Sequence, residues 1–267
     1  MRDASEVAAD AKVADVKSLF DTHLNDGKVV LVVEGADDKE VYEKVMDVFS
    51  VCIYVDCNCD KHLVILNALN SRYGNRLLAI KDADFDRLDG TQPPYSNLVL
   101  TDTHDMEGMI VEDCLPELQG EDAERCENII LGDIYSELED ISYLKWFNHT
   151  NHCGINFGDV SLDIDIIAYF SACVANTNNV ISVSLADMYA FKAAHQGVSE
   201  KDLCNGHDLF ERIFIRAHAA KASNFAKKPF FRRLRRAYPG VKFVNTLLYQ
   251  NIRKWEAANG RVILAAA

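Results

Sequence analysis

The chain has 267 residues, 49% of them apolar and 26% charged, with a formal net charge of -13. That is enough material for one generous core or two linked lobes without disulfide staples. No window holds about 18 uncharged apolar residues, the length a spanning helix needs, and the first residues lead into a charged amphipathic stretch. The expectation is a soluble, cytoplasmic protein with no secretory signal and no membrane partner.

From Ser5 to about Asn25, Val7, Val13, Val16, Leu19, Phe20 and Leu24 recur at helical spacing, so an N-terminal helix is predicted over 1–27. Lys28 to Val33 is a β-branched run between Gly27 and Gly35, suited to a strand buried on both faces. A helix follows from Asp37 to Phe49, then a strand from Val51 to Val55, a polar loop, and a helix from about Lys61 to Tyr73. Strands are predicted at Arg76 to Lys81 and Asn97 to Leu100, before a helix near Asp105 to Val111. Strands alternating with helices imply crossovers and a mainly parallel sheet, so residues 28–112 read as an α/β domain. Beyond Asp113 the strand signal fades. Helical periodicity at about 120–147, 163–176, 184–194, 207–220, 223–237 and 241–258 makes 113–264 a mostly helical C-terminal region.

Two acidic groups stand at the ends of buried strands. Glu34 closes the first strand, with Gly35 turning the chain and Asp38 about one helical turn on. Asp82, Asp84 and Asp86 follow the apolar run Ala79-Ile80; in extended chain, residues two apart share a face. Sites in open α/β sheets form at the carboxyl ends of strands. Several carboxylates there repel one another unless a hard cation neutralises them, and an oxygen-only set favours Mg2+ or Mn2+ over zinc.

Glu34-Gly35 after the first strand, followed by Asp82-Ala83-Asp84 after a later one, resembles the TOPRIM domain of topoisomerases, primases, small ribonucleases and OLD nucleases. The string Val33-Glu34-Gly35-x-x-Asp38, Asp82-x-Asp84-Phe85-Asp86, Thr101-Asp102-x-His104-Asp105-Met106-Glu107 and Asn205-Gly206-His207-Asp208 is similar to one OLD-like bacterial branch. That branch includes the TOPRIM effector of the PARIS phage-defence system. The resemblance implies a TOPRIM-like α/β fold and an Mg2+-dependent nuclease acting as a toxic effector, with RNA such as tRNA slightly favoured over DNA. It also implies an ATPase regulatory partner and a homodimer as the candidate assembly. It makes Glu34 the general base and a member of the metal site with Asp82 and Asp84, with Asp38 at a second metal and Asp86 and Glu107 as further candidates. Lys81 beside the aspartates departs from the expected pattern.

Several features keep an alternative. Asp105 and Glu107 also suit a helix N-cap and first-turn acid, and His207-Asp208 a helix start. Between Leu209 and Arg261 there are 13 Lys and Arg against two acids, a local charge of +11 that leaves -24 elsewhere. Lys227, Lys228, Arg232, Arg233, Arg235 and Arg236 are its densest run and the candidate nucleic-acid contacts; the other reading is a basic face paired with the acidic lobe or a partner. Phe225, Phe230, Phe231, Tyr238 and Phe243 stack on bases or fill a core. The eight cysteines read as reduced thiols. Cys57-x-Cys59 with His62, and His152-Cys153, lack the Cys-x-x-Cys spacing of a strong zinc motif. A non-catalytic TOPRIM scaffold is the alternative function, and a primase-like nucleotidyl transferase a third.

Overall fold

The computed structural model describes residues 4–23, 26–56, 61–178, 182–220 and 226–265. The chain forms two compact units that interleave in sequence. The first comprises Met1–Asp82, Gln92–Asp102 and Tyr238–Ala267, the second Ala83–Thr91 and Thr103–Ala237. The expected boundaries at 27 and 112 are corrected: the last stretch of chain joins the α/β unit instead of extending the helical region.

In the first unit, β1 (Val29–Val33), β2 (Val51–Val55), β3 (Leu77–Lys81) and β4 (Leu98–Leu100) form an all-parallel sheet in the order β2-β1-β3-β4. The uncharged run of β1 is buried at every position, as a strand with neighbours on both edges requires. Side-chain alternation turns Val30 and Val32 of β1, Leu77 and Ala79 of β3, and Leu98 of β4 into one core. Covering that core are α1 (Ala4–Thr22) and α3 (Lys61–Tyr73), through Val16, Phe20, Ile65, Leu66, Leu69 and Tyr73. Phe20 and Tyr73 stack with centroids 4.2 Å apart.

The helix after β1, α2 (Ala36–Tyr42), is shorter than its apolar stripe predicts. The chain leaves it so that Met46 can pair antiparallel with Leu264, while Asp47 N donates to Ile263 O at 2.7 Å. The final helix, α12 (Leu247–Asn259), lies beside β4. The Asp102 carboxylate, just past β4, accepts from Leu247 N and Leu248 N at 2.6 Å each, satisfying amides that a helix N-terminus leaves open. Buried Glu256 accepts from Ile263 N and Leu264 N at 2.6 and 2.9 Å and fixes the closing segment.

The second unit is helical. It holds α4 (Met106–Cys114), α5 (Glu121–Cys126), α6 (Leu131–Asn151), α7 (Ile166–Ala175), α8 (Leu185–Ala194), α9 (Glu200–Leu203), α10 (Gly206–Ala220) and α11 (Lys227–Ala237). Its core includes Ile110, Leu138, Leu144, Phe210, Ile213, Phe230 and Leu234. Among the described residues, no helix in either unit is long and apolar enough to cross a membrane.

Candidate functional site

In the first unit, Glu34 and Asp82 lie just beyond the carboxyl ends of β1 and β3, neighbouring strands in the sheet. The pairing Val32↔Ala79 brings the two ends level. Asp82 N donates to Glu34 Oε1 at 3.1 Å, so the backbone of one acidic residue holds the side chain of the other. Asp38 is 8% exposed, and its Oδ2 accepts from Gly35 N at 2.8 Å, closing the turn that carries the chain from Glu34 into α2. That bond engages Asp38 as a capping residue. Lys81 Nζ donates to Asp82 O at 3.1 Å, so the unexpected lysine braces the same strand end.

The expected row of aspartates on one extended face is corrected. The strand stops at Lys81, and Asp84 has φ of 46°, left-handed backbone that breaks the alternation. Aspartate tolerates that region better than most side chains. Asp84 and Asp86 belong to the second unit, where residues 84–90 form turns. Asp84 N donates to His104 O at 2.6 Å, and the Phe85 ring packs edge-on against His104 at 4.7 Å.

The later motifs build a structural clasp in that unit. Asp105 is the N-cap of α4: Oδ1 accepts from Gly108 N at 2.8 Å, while Oδ2 accepts from Gly206 N, at the start of α10, at 2.6 Å. One buried carboxylate thus serves two helix N-termini. Burial pushes its pKa upward, opposed by His104, by the two N–H donors and by His207. Gly206 is obligatory by space, since a Cβ there would fall 2.6 Å from Glu107 Cβ and inside contact of Asp105 Oδ1 and Gly108 N. Asn205-Gly206 was a motif without a role in the sequence; this close approach of two helices is its role.

Glu107 is 3% exposed and ion-paired with Arg235 Nη1 at 3.3 Å, with His207 Nδ1 at 3.5 Å. Its expected place as a metal ligand is corrected, because the buried Arg235 guanidinium already balances its charge and a divalent ion would have to displace it. Arg235, 6% exposed, is likewise corrected from a nucleic-acid contact to a buried ion-pair partner. The clue lay in the sequence: Phe231 and Arg235 are four apart, beside the Phe230–Leu234 stripe that α11 buries. Lys227, Lys228, Arg232, Arg233 and Arg236 stay exposed. Lys227 pairs with Glu211 at 2.9 Å and Arg233 with Asp122, whereas Lys228 and Arg232 have no ion-pair partner among the described residues.

The aromatics near this run fill the core: Phe230, Phe243 and Tyr238 are buried, and Phe231 packs on Phe210 at 5.6 Å. Phe225, Cys57 and Cys59 lie outside the described residues. His62 is fully buried, with one ring nitrogen facing Ile80 O and the other Asp56, so neither points to an open zinc position.

The donor chemistry of Glu34 and Asp82, oxygen-only at the open end of a parallel sheet, fits a hard divalent cation. Among the described residues no three His, Cys, Asp or Glu side chains converge into a finished coordination shell. Mg2+ characteristically takes only one or two protein carboxylates and fills the remainder with water and substrate phosphate, so the pair meets that requirement. No protein-family model matches the chain, and a search of curated proteins finds no match either.

Proposed function

We propose that this protein is an Mg2+-dependent TOPRIM-type nuclease that hydrolyses nucleic-acid phosphodiesters, RNA such as tRNA before DNA. The observation that carries the reading is the direct link between Glu34 and Asp82 at adjacent parallel strand ends. Bound metal would polarise the phosphate and stabilise the charge that develops on its oxygens. Glu34 and Asp82 are the proposed acids at the metal, while Asp38, Asp84 and Asp86 remain candidates on the motif string alone; Glu107 is left out of the set. Glu34 would take a proton from the attacking water as its oxygen bonds to phosphorus, the bond to the leaving strand oxygen breaks and that oxygen is protonated from solvent; the Asp82 amide orients the Glu34 carboxylate. Lys228, Arg232 and Arg236 are exposed cations for the phosphate backbone.

The motif string also supports a role as a toxic effector in bacterial anti-phage defence, held by an ATPase subunit, with a homodimer as its assembly. The deciding assay compares wild type with Glu34→Gln on tRNA and on single- and double-stranded DNA, with Mg2+, Mn2+ or EDTA. Metal-dependent cleavage that the variant loses supports the reading. No cleavage, together with no metal binding by calorimetry, replaces it with a non-catalytic scaffold.

A further inference from the structure

We propose that His62 and Asp56 are positioning residues for the Glu34–Asp82 pair, a buried brace that sets where the ends of β1 and β3 stand. The brace is argued from geometry alone; its consequence for metal and cleavage rests on the nuclease reading.

Asp56 follows β2 and His62 opens α3, and both are 0% exposed. His62 Nε2 lies 3.1 Å from Ile80 O. A carbonyl can only accept, so Nε2 carries the proton. His62 Nδ1 lies 3.2 Å from Asp56 Oδ2, a close polar contact outside hydrogen-bond geometry; neither Asp56 oxygen has a hydrogen-bond partner among the described residues. The fully buried Asp56 carboxylate therefore faces the fully buried His62 ring, and the two side chains hold each other's place. The Asp56 amide in turn donates to Val33 O at 2.8 Å.

The chain of contacts therefore runs from Val33 through Asp56 and His62 to Ile80. Glu34 is the residue after Val33, and Asp82 is two beyond Ile80. The brace ties β2 to β3 past the intervening β1, immediately below the pair. Parallel strand ends have no tight turn to hold them, because each is followed by a crossover. A buried polar strut fixed at both ends supplies that restraint, much as outer groups orient metal ligands elsewhere.

The test uses His62→Leu, His62→Gln and Asp56→Asn in the full chain, with folding checked by circular dichroism. The glutamine amide retains a donor for Ile80 O, so it is the conservative variant. In metal-free protein, His62→Leu is expected to raise amide hydrogen exchange at Asp82 and Asp56 about tenfold, leaving Leu31 and Leu78 unchanged. Mn2+ affinity, read by electron paramagnetic resonance, falls roughly 10–100-fold. Where cleavage is measurable, kcat drops with little change in KM, and glutamine restores part of both. Unaltered Asp82 exchange in a folded His62→Leu or Asp56→Asn protein overturns the brace, whatever the cleavage assay gives. Wild type that neither cleaves nor binds Mn2+ while Asp82 exchange responds as expected removes the nuclease reading and leaves the brace standing.

Discussion

Replacing Gly206 with alanine puts a methyl group where the N-termini of α4 and α10 meet. The added carbon falls 2.6 Å from Glu107 Cβ and closer still to Asp105 Oδ1 and Gly108 N, against ordinary contact beyond 3.4 Å. Two of these neighbours are a buried carboxylate and a helix backbone, which cannot swing aside as an exposed side chain would. Relief requires the helices to part by roughly an ångström, and that lengthens the bonds from Gly206 and Gly108 to Asp105, now 2.6 and 2.8 Å. Overpacking costs about 1–3 kcal/mol, and a weakened bond to a charged acceptor about 1.5–3 kcal/mol. Because the two share one cause they overlap, giving about 2–5 kcal/mol. For a unit of about 150 residues this lowers its Tm by roughly 4–20 °C.

Scanning calorimetry and urea titration of Gly206→Ala measure the loss. Gly132→Ala serves as the control, since a Cβ there meets nothing within 4 Å and lies in the first turn of α6. It should be neutral or stabilising by up to about 1 kcal/mol. A loss below about 0.5 kcal/mol at Gly206, the range of ordinary surface changes, would refute the clasp.

Arg235→Ala is expected to destabilise by about 3–5 kcal/mol because it leaves Glu107 buried with its main cation gone. It should not alter the salt dependence of nucleic-acid binding in a form that still folds. Lys228→Ala and Arg232→Ala should fold normally, weaken binding and each reduce the magnitude of the log K against log salt slope by about 1, as read by fluorescence anisotropy. Burial pushes the thiols of Cys126 and Cys204 up to about 12, so at pH 8 both should resist iodoacetamide until denaturant is added, as mass spectrometry can check. The Asp187 carboxyl is held below its usual range by the Ser184 hydroxyl and amide in the capping box of α8. Its folded pKa is lowered, so the contribution is present above about pH 3.9 and is lost as pH falls through the folded value. Asp187→Asn should reduce exchange protection in the first turn of α8 at pH 7 and leave it unchanged near pH 2.

The sheet was legible from the sequence because its strands are apolar, β-branched and bounded by turn residues. β2 was read to the residue, and β1 and β3 to within one. What escaped depended on partners far away in the chain. Nothing near Val45 and Met46 announces that α2 must end so that Leu264 can pair there. Nor does local charge reveal that one arginine in Arg232-Arg233-Leu234-Arg235-Arg236 turns inward, since that needs the buried face of α11 first. The acids at Glu34 and Asp82 were readable as strand-end residues. The left-handed turn at Asp84 was not, because one aspartate in an Asp-x-Asp looks like any other until its φ is known. His62 and Asp56 carried no positional signal beyond flanking a polar loop.

The interleaving of the two units has a consequence for synthesis. β4 and Asp102 leave the ribosome well before α12, the helix whose amides Asp102 receives and which lies beside the edge strand. Until Tyr238–Ala267 emerges, the α/β unit lacks the helix that packs beside β4 and offers its amides to Asp102, while every residue of the helical unit has already been delivered. A nascent chain halted before α12 would carry the four strands with Glu34 and Asp82 but not the helix whose N-terminus Asp102 caps.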